Sequence, residues 1–300
     1  MDKMILWGTS IEGKSTGFET YESQQFLRLG LNFDKKSSWH RVSLIAEGAA
    51  SKCWISDTPA EHSLFIAGSC SSSMDLAWYF YRKNLLPEWG SVLAASQWAG
   101  KGQLGRVWFS PVGNIYGTLH LPASALPHSN HLALLMGYVL VAGLADIGVE
   151  AKLKWPNDLI INRKKVGGIL VEQRGDTCMV GVGINLVSCP GKLEIRNQQS
   201  IPSACLKDFG IDIEPLLLWQ HLVKTGRSVF NTIIMSEIAD VIANINESLA
   251  FIGDHALVED YKSKPLEATI LGLSPDGGLK LLTKSGVHIT HSATVYPLAN

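Results

Sequence analysis

Residues 132–145, LALLMGYVLVAGLA, run for fourteen positions without a charged side chain. A helix that is apolar on every side has to be covered on every side, by a protein core or by lipid. At this length it would rise about 21 Å, short of the roughly 30 Å hydrocarbon layer, and Asp146 ends it. The stretch is expected to be a buried core helix, so the rest of the chain must supply enough structure to enclose it. With 300 residues, 46% hydrophobic and 18% charged, the composition is globular and leaves room for one large domain and one or two small ones.

The segments around this helix read as strands more often than as helices. HSLFIAGSC, SVLAASQWA, NIYGTLHLP, AKLKWPNDLIIN, KKVGGILVEQR and CMVGVGINLV are short apolar runs rich in Ile, Val and Leu, and SMDLAWYFYRKNLL reads as a helix. Some neighbouring strands have no helix between them, which predicts an α+β fold with a mostly antiparallel or mixed sheet. A second helical block spans about 214–253. From Leu257 the chain alternates apolar and polar residues around DGG and KSG turns, the pattern of a small all-β module. Residues 1–55 form a segment of unknown fold, with no clear winged helix and several acids (Glu12, Glu19, Glu22).

Charge is distributed unevenly. The net charge is -1, so any attraction for anions must be local. From Trp89 to Ala145 there is no Asp or Glu, and inside that gap lies AGKGQLGRVWFSP, residues 99–111, with Lys101 and Arg106 and no carboxylate beside them. Residues 151–174 carry Lys152, Lys154, Arg163, Lys164, Lys165 and Arg174 against Asp158 and Glu172. A glycine loop lets backbone N–H groups approach phosphate while Lys and Arg neutralise it. The two segments together suit a compact anion such as a nucleotide. Five widely spaced cysteines without a CxxC pair (Cys53, Cys70, Cys178, Cys189, Cys205) argue against a disulfide framework or a zinc site and point to a reducing, cytoplasmic setting.

AGKGQLGRVWFSP, KWPNDLIINRKKVGGILVE and GVGINL, in that order, resemble the catalytic domain of biotin–protein ligases. SSSMD at 71–75 is similar to that family's Ser-Thr-Asn segment. The resemblance covers roughly residues 60–300. It implies a mixed β-sheet catalytic domain of class II synthetase/biotin ligase type over 56–256, followed by a small SH3-like β-barrel domain over 257–300. It implies an ATP-dependent ligase that makes biotinyl-5′-AMP from biotin and MgATP, then passes the biotinyl group to one lysine of a biotin carboxyl carrier domain. DNA is not an expected partner, nor is a membrane, and a homodimer is left open.

Residue by residue, the resemblance places Ser72, Ser73, Met74 and Gln97 at the biotin head, with Lys101, Gly102 and Gln103 from the loop. Lys165 matches a lysine that meets both the biotin carboxylate and the adenylate phosphate, and Arg106 a phosphate-facing arginine. Gly100, Lys101, Gly105, Arg106, Trp108, Asn157, Gly183 and Asn185 match the ATP site, with Gly167 and Gly168 allowing close approach. Lys154 is expected to neutralise phosphate. Asp158 is expected to hold Mg²⁺ with Asn157, or to accept a proton from the incoming lysine. The sequence departs from the family pattern where Lys101 and Gln103 replace arginines, where Leu104 is apolar, and where Met74 can offer no amide.

Two other readings compete. A lipoate or octanoate ligase shares the fold but lacks KWPND followed by KVGGILVE. GTSIEGKS, residues 8–15, fits the phosphate-loop pattern of nucleotide-binding proteins, with only MILW before it as a strand.

Overall fold

In the computed structural model, residues 2–7, 25–26, 28–31, 39–46, 49–191, 201–259 and 265–298 are described. The GTSIEGKS segment lies outside them. The first strands are β1 (Lys3–Trp7), β2 (Trp39–Ala46), β3 (Ala49–Pro59) and β4 (Leu64–Cys70), followed by helix α1 (Ser73–Arg82) and β5 (Ser91–Gln97). Next come β6 (Ile115–His120), helix α2 (Leu132–Ala145), β7 (Lys152–Lys154), β8 (Asp158–Ile161), β9 (Lys164–Arg174) and β10 (Thr177–Ile184). These ten strands form one sheet in the order β2-β3-β1-β4-β5-β6-β10-β9-β8-β7. It is mixed, with β4 parallel to both β1 and β5 and the other neighbours antiparallel.

The central strands of the sheet are buried on both faces, which is why they read as apolar runs. Along β4, Leu64 and Ile66 join one core and Phe65 and Ala67 the other, following the two-residue period of a strand. On the second face lies α1, whose Leu76, Ala77, Trp78 and Phe80 are buried against Val92, Ala94 and Met179. On the first face lies α2, packed between β7–β9 and the helices α3 (Pro215–Ile233) and α4 (Ile238–Glu247). Among the described residues, Pro127–Ala145 is the helical stretch long and apolar enough to cross a membrane by composition. Its regular part, α2, buries nine side chains or glycines in this three-layer core.

One expectation needs correction. AKLKWPNDLIIN is two strands, β7 and β8, joined by a turn at 155–157, since Pro156 has no N–H for a ladder and breaks the run. Described residues of the 1–55 segment, to which the sequence assigned no fold, supply β1, β2 and most of β3 to the main sheet.

The chain closes with β11 (His255–Glu259), β12 (Leu266–Leu273), β13 (Leu279–Thr283), β14 (Gly286–Thr290) and β15 (Thr294–Pro297). They form a second, antiparallel sheet in the order β14-β13-β12-β11-β15. It is tied to the β8–β9 hairpin by Arg163 Nη1, which donates to Asp254 Oδ2 at 2.6 Å. Trp155 Nε1 donates to the Gly277 carbonyl at 3.2 Å.

The core holds an acid-sensitive histidine. His62 is 5% exposed, with Nε2 2.9 Å from Ser91 Oγ, and that oxygen also accepts the Trp219 indole N–H at 3.1 Å. Ser91 can give its single proton to a neutral imidazole but not to a protonated one. Burial pushes His62 down from 6.5 to about 4, against the pull of Asp2 and Glu61. Between those values the unfolded chain binds more protons, so stability falls as the pH drops through the window. The loss reaches about 3 kcal/mol below it. Urea midpoints from pH 7 to 4 are expected to fall more steeply for the wild type than for His62→Asn, and equal slopes would exclude His62 as the source.

Candidate active site

Five pieces of chain converge at the carboxyl ends of β4 and β5: the start of α1, the end of β5, the glycine loop, the β7–β9 region, and β10. Ser72 is the N-cap of α1, its Oγ accepting the Asp75 N–H at 3.0 Å. The next residue, Ser73, donates its N–H to Gln97 Oε1 at 2.7 Å and pairs its Oγ with Thr118 Oγ1 at 2.9 Å. Gln97 Nε2 donates to Ser110 Oγ at 2.9 Å, and Ser110 donates onward to the Trp108 carbonyl at 2.8 Å. A continuous polar row thus runs from β6 through the helix start to the end of the loop. Beside it, Met74 is buried and reaches toward Gly181, a packing role suited to its lack of an amide.

The glycine loop is a small closed hairpin. Trp108 N–H donates to the Gly100 carbonyl at 2.9 Å, Gly102 N–H to Arg106 at 2.7 Å, and Arg106 N–H to Gln103 at 3.1 Å. Leu104 (φ 57°) and Gly105 (φ 70°) make the bend at its tip. The loop ends by laying the Trp108 ring on β9 and β10. A Cβ on Gly183 would lie 2.5 Å from the indole, and one on Gly168 3.0 Å from it. These two strands carry glycine where the ring rests because no larger residue leaves room for it.

Lysines and one carboxylate meet next to that ring. Lys165 Nζ is 2.5 Å from Asp158 Oδ1 and 5.2 Å from the centre of the Trp108 ring. Lys154 Nζ approaches the other oxygen, Asp158 Oδ2, at 3.5 Å. The Lys154 and Asp158 side chains are 12% and 16% exposed and Lys165 is 30% exposed, so Lys165 is the one that faces outward. Burial pushes the Asp158 carboxyl up, but the two ammonium groups outweigh it and hold it below the usual carboxylate range. Burial likewise pushes Lys154 down, with Asp158 opposing and Lys165 and Arg106 reinforcing. Two ammonium groups against one carboxylate leave net positive charge, and Arg106, exposed on the loop, adds to it without meeting a carboxylate among the described residues.

This geometry shows how three of the expected site residues are held. A carboxylate gripped by two ammonium groups is a weak proton acceptor, and Asp158 here meets both Lys154 and Lys165. Asn157 donates its Nδ2 to the Ile169 carbonyl at 2.6 Å. Asp158 is engaged at both oxygens, so a divalent cation binding there would have to displace a lysine. Among the described residues no group of three or more His, Cys, Asp or Glu is placed to hold a metal. Asn185 is buried and donates Nδ2 to the Ala204 carbonyl at 3.1 Å, so it ties the 204 segment to β10.

Residues the sequence reading passed over also belong to the site. Asp75 takes the Lys101 ammonium at 2.5 Å, so the carboxylate missing from the acid-free stretch comes from α1. The spacing Ser72-x-x-Asp75 is the signature of a capped helix start and could have marked it. Thr118 and Ser110 had no comparable signal, since each acts through a partner brought near by the sheet. Asn114 is fully buried, with Oδ1 accepting the Leu186 and Val187 N–H groups at 2.9 and 3.0 Å.

The profile of the biotin/lipoate A/B protein ligase family matches residues 67–186, a span that contains every site residue above. The bifunctional ligase/repressor BirA of Bacillus spizizenii is 28% identical over 301 residues, 92% of this chain and 85% of its own. The biotin–[acetyl-CoA-carboxylase] ligase of Paracoccus denitrificans is 35% identical over 133 residues, 41% of this chain and 55% of its own. The biotin protein ligase from Aquifex aeolicus, solved in complex with biotin and ATP, aligns with a TM-score of 0.67 at 23% identity. That alignment covers 78% of this chain and 99% of the Aquifex chain, a likeness of fold. Residues 67–186 thus match the biotin/lipoate A/B protein ligase family, and over most of its length the chain is similar to biotin protein ligases.

Proposed function

We propose that this chain attaches biotin to a lysine of a biotin carboxyl carrier domain, using ATP. The biotin carboxylate attacks the α-phosphorus, the bond to the bridging oxygen of pyrophosphate breaks, and biotinyl-5′-AMP forms. The neutral ε-amine of the carrier lysine then attacks the acyl carbon, AMP leaves, and the amide remains. The first step brings an anion onto a polyanion, so its main obstacle is like-charge repulsion. Lys165 and Arg106 supply the opposing charge, and Trp108 forms a wall of the site beside Lys165. Magnesium travels with the triphosphate as part of the substrate. Free cysteines support a reducing, cytoplasmic setting. DNA is not among the proposed partners.

The observation that carries the choice of biotin is the polar row Thr118–Ser73–Gln97–Ser110 ending beside the cationic group. A ureido ring offers both donors and acceptors and can exchange bonds with this row, whereas the apolar head of lipoate or octanoate offers nothing in return for any bond it displaces. Biotin-dependent exchange of ³²P-pyrophosphate into ATP is expected to exceed lipoate- or octanoate-dependent exchange by about 100-fold or more. A carrier domain incubated with the protein, ATP and biotin is expected to become streptavidin-reactive. Exchange with lipoate and none with biotin would overturn the reading.

A further inference from the structure

Asp75 is fixed before the loop reaches it. It sits in the first turn of α1, where the aligned peptide dipoles favour a negative charge. The Ser72 cap holds its N–H at 3.0 Å and Ser71 Oγ donates to its Oδ2 at 3.2 Å. Burial pushes its carboxyl up, but Lys101, Ser72 and Ser71 outweigh that and keep it below the usual range, hence charged near neutrality.

The hairpin beyond it is bonded mostly to itself, through the Gly100–Trp108 and Gly102–Arg106 contacts. Its base is stitched to the body, by Trp98 N–H to the Cys70 carbonyl at 3.0 Å and Ala99 N–H to Ser71 at 2.9 Å. Toward the tip, Leu104, Gly105, Arg106 and Val107 are exposed. Among the described residues, the ion pair joining the hairpin to the rest of the protein is Lys101–Asp75.

We propose that the Asp75–Lys101 pair is a latch that holds the glycine loop against the start of α1 and sets how long an acyl-adenylate stays in the site. Asp75 is a positioning residue, since it meets the loop and not the reacting atoms. The latch also divides the two loop cations. Lys101 is spent on closing the loop, and Arg106 is left for the phosphate. In a loop that has Gln103 where the family pattern has arginine, closure by a fixed carboxylate offsets the lost attraction for the adenylate.

This inference rests on the ligase reading, and the test separates the two. Biotinyl-5′-AMP is formed in the full-length protein from biotin and ATP, and its release is timed at 0.05 M and 0.5 M salt for the wild type, Asp75→Asn, Asp75→Glu, Lys101→Met and the double variant Asp75→Asn/Lys101→Met. The side chains of the pair are 40% and 31% exposed, so the bond is a modest one. Release is expected to be about three- to five-fold faster in Asp75→Asn at low salt, with Asp75→Glu restoring much of the retention. The wild type is expected to speed up with salt and Asp75→Asn to change little. The double variant should release no faster than Lys101→Met alone, because both substitutions break the same bond. Thermal midpoints of all five proteins report folding. Wild-type release that is indifferent to salt, or an Asp75→Asn rate equal to wild type at both salts, would overturn the latch while leaving the ligase reading intact. Failure of the wild type to form any acyl-adenylate from biotin would sink that reading instead.

Discussion

Lys165→Ala is expected to lower biotin-dependent pyrophosphate exchange by about two to three orders of magnitude, the cost of removing one preorganised group that opposes charge in a transition state. Lys165 is the site cation that is both outward-facing and fixed, by Asp158 at 2.5 Å and by the Trp108 ring at 5.2 Å. The stability change should be small, because Asp158 keeps Lys154 as a partner. A loss of activity with an unmoved thermal midpoint therefore separates chemistry from folding. The matching control is Lys14→Ala, in the phosphate-loop pattern at 8–15. That variant is expected to exchange pyrophosphate as the wild type does. The reverse result, with Lys14→Ala inactive and Lys165→Ala within about five-fold of wild type, would move the nucleotide to the amino-terminal segment and end the present account.

Asp158→Ala should have the largest effect on stability. It leaves the Lys154 ammonium, 12% exposed, without its counter-charge and beside a second ammonium. Breaking a buried pair from one side costs about 3–5 kcal/mol, much more than the net contribution of the intact pair. Urea unfolding of Asp158→Ala is expected to show a loss of that size, and the double change Lys154→Met, Asp158→Leu to recover most of it. The pH dependence supplies a second readout. The folded carboxyl titrates below the usual range, so its contribution is complete above the ordinary carboxylate value and is lost as the pH falls through the folded one. Asp158→Ala should lack that acid-limb loss. A destabilisation under about 1 kcal/mol would mean that Lys154 reaches water and is not held by Asp158.

Much of the chemistry was legible before any coordinates. The apolar run at 132–145 demanded burial on every side, and α2 is enclosed by sheet and helices. The acid-poor glycine loop and the lysines of 151–174 point to an anion, and the structure brings Arg106, Lys154 and Lys165 within electrostatic reach of one another. The hidden parts have a common cause. KMILW is five residues with no strong periodicity, and it becomes β1 only because β3 and β4 flank it. AKLKWPNDLIIN has apolar residues on both sides of its turn, and Pro156 is the local signal that divides it into β7 and β8.

The side-chain roles divide in the same way. Residue type and spacing along the chain determined that this protein has a buried apolar helix, a mixed sheet, a loop flexible enough to close, and cations without local carboxylates. Only the tertiary structure decided which carboxylate meets which cation. Asp75 reaches Lys101 across 26 positions of sequence, and Asp158 stands between two lysines. Local sequence sets backbone preference and hydrophobic period, which act over a few residues. Ion pairs and strand neighbours depend on distances in space, and those exist only once the sheet has assembled.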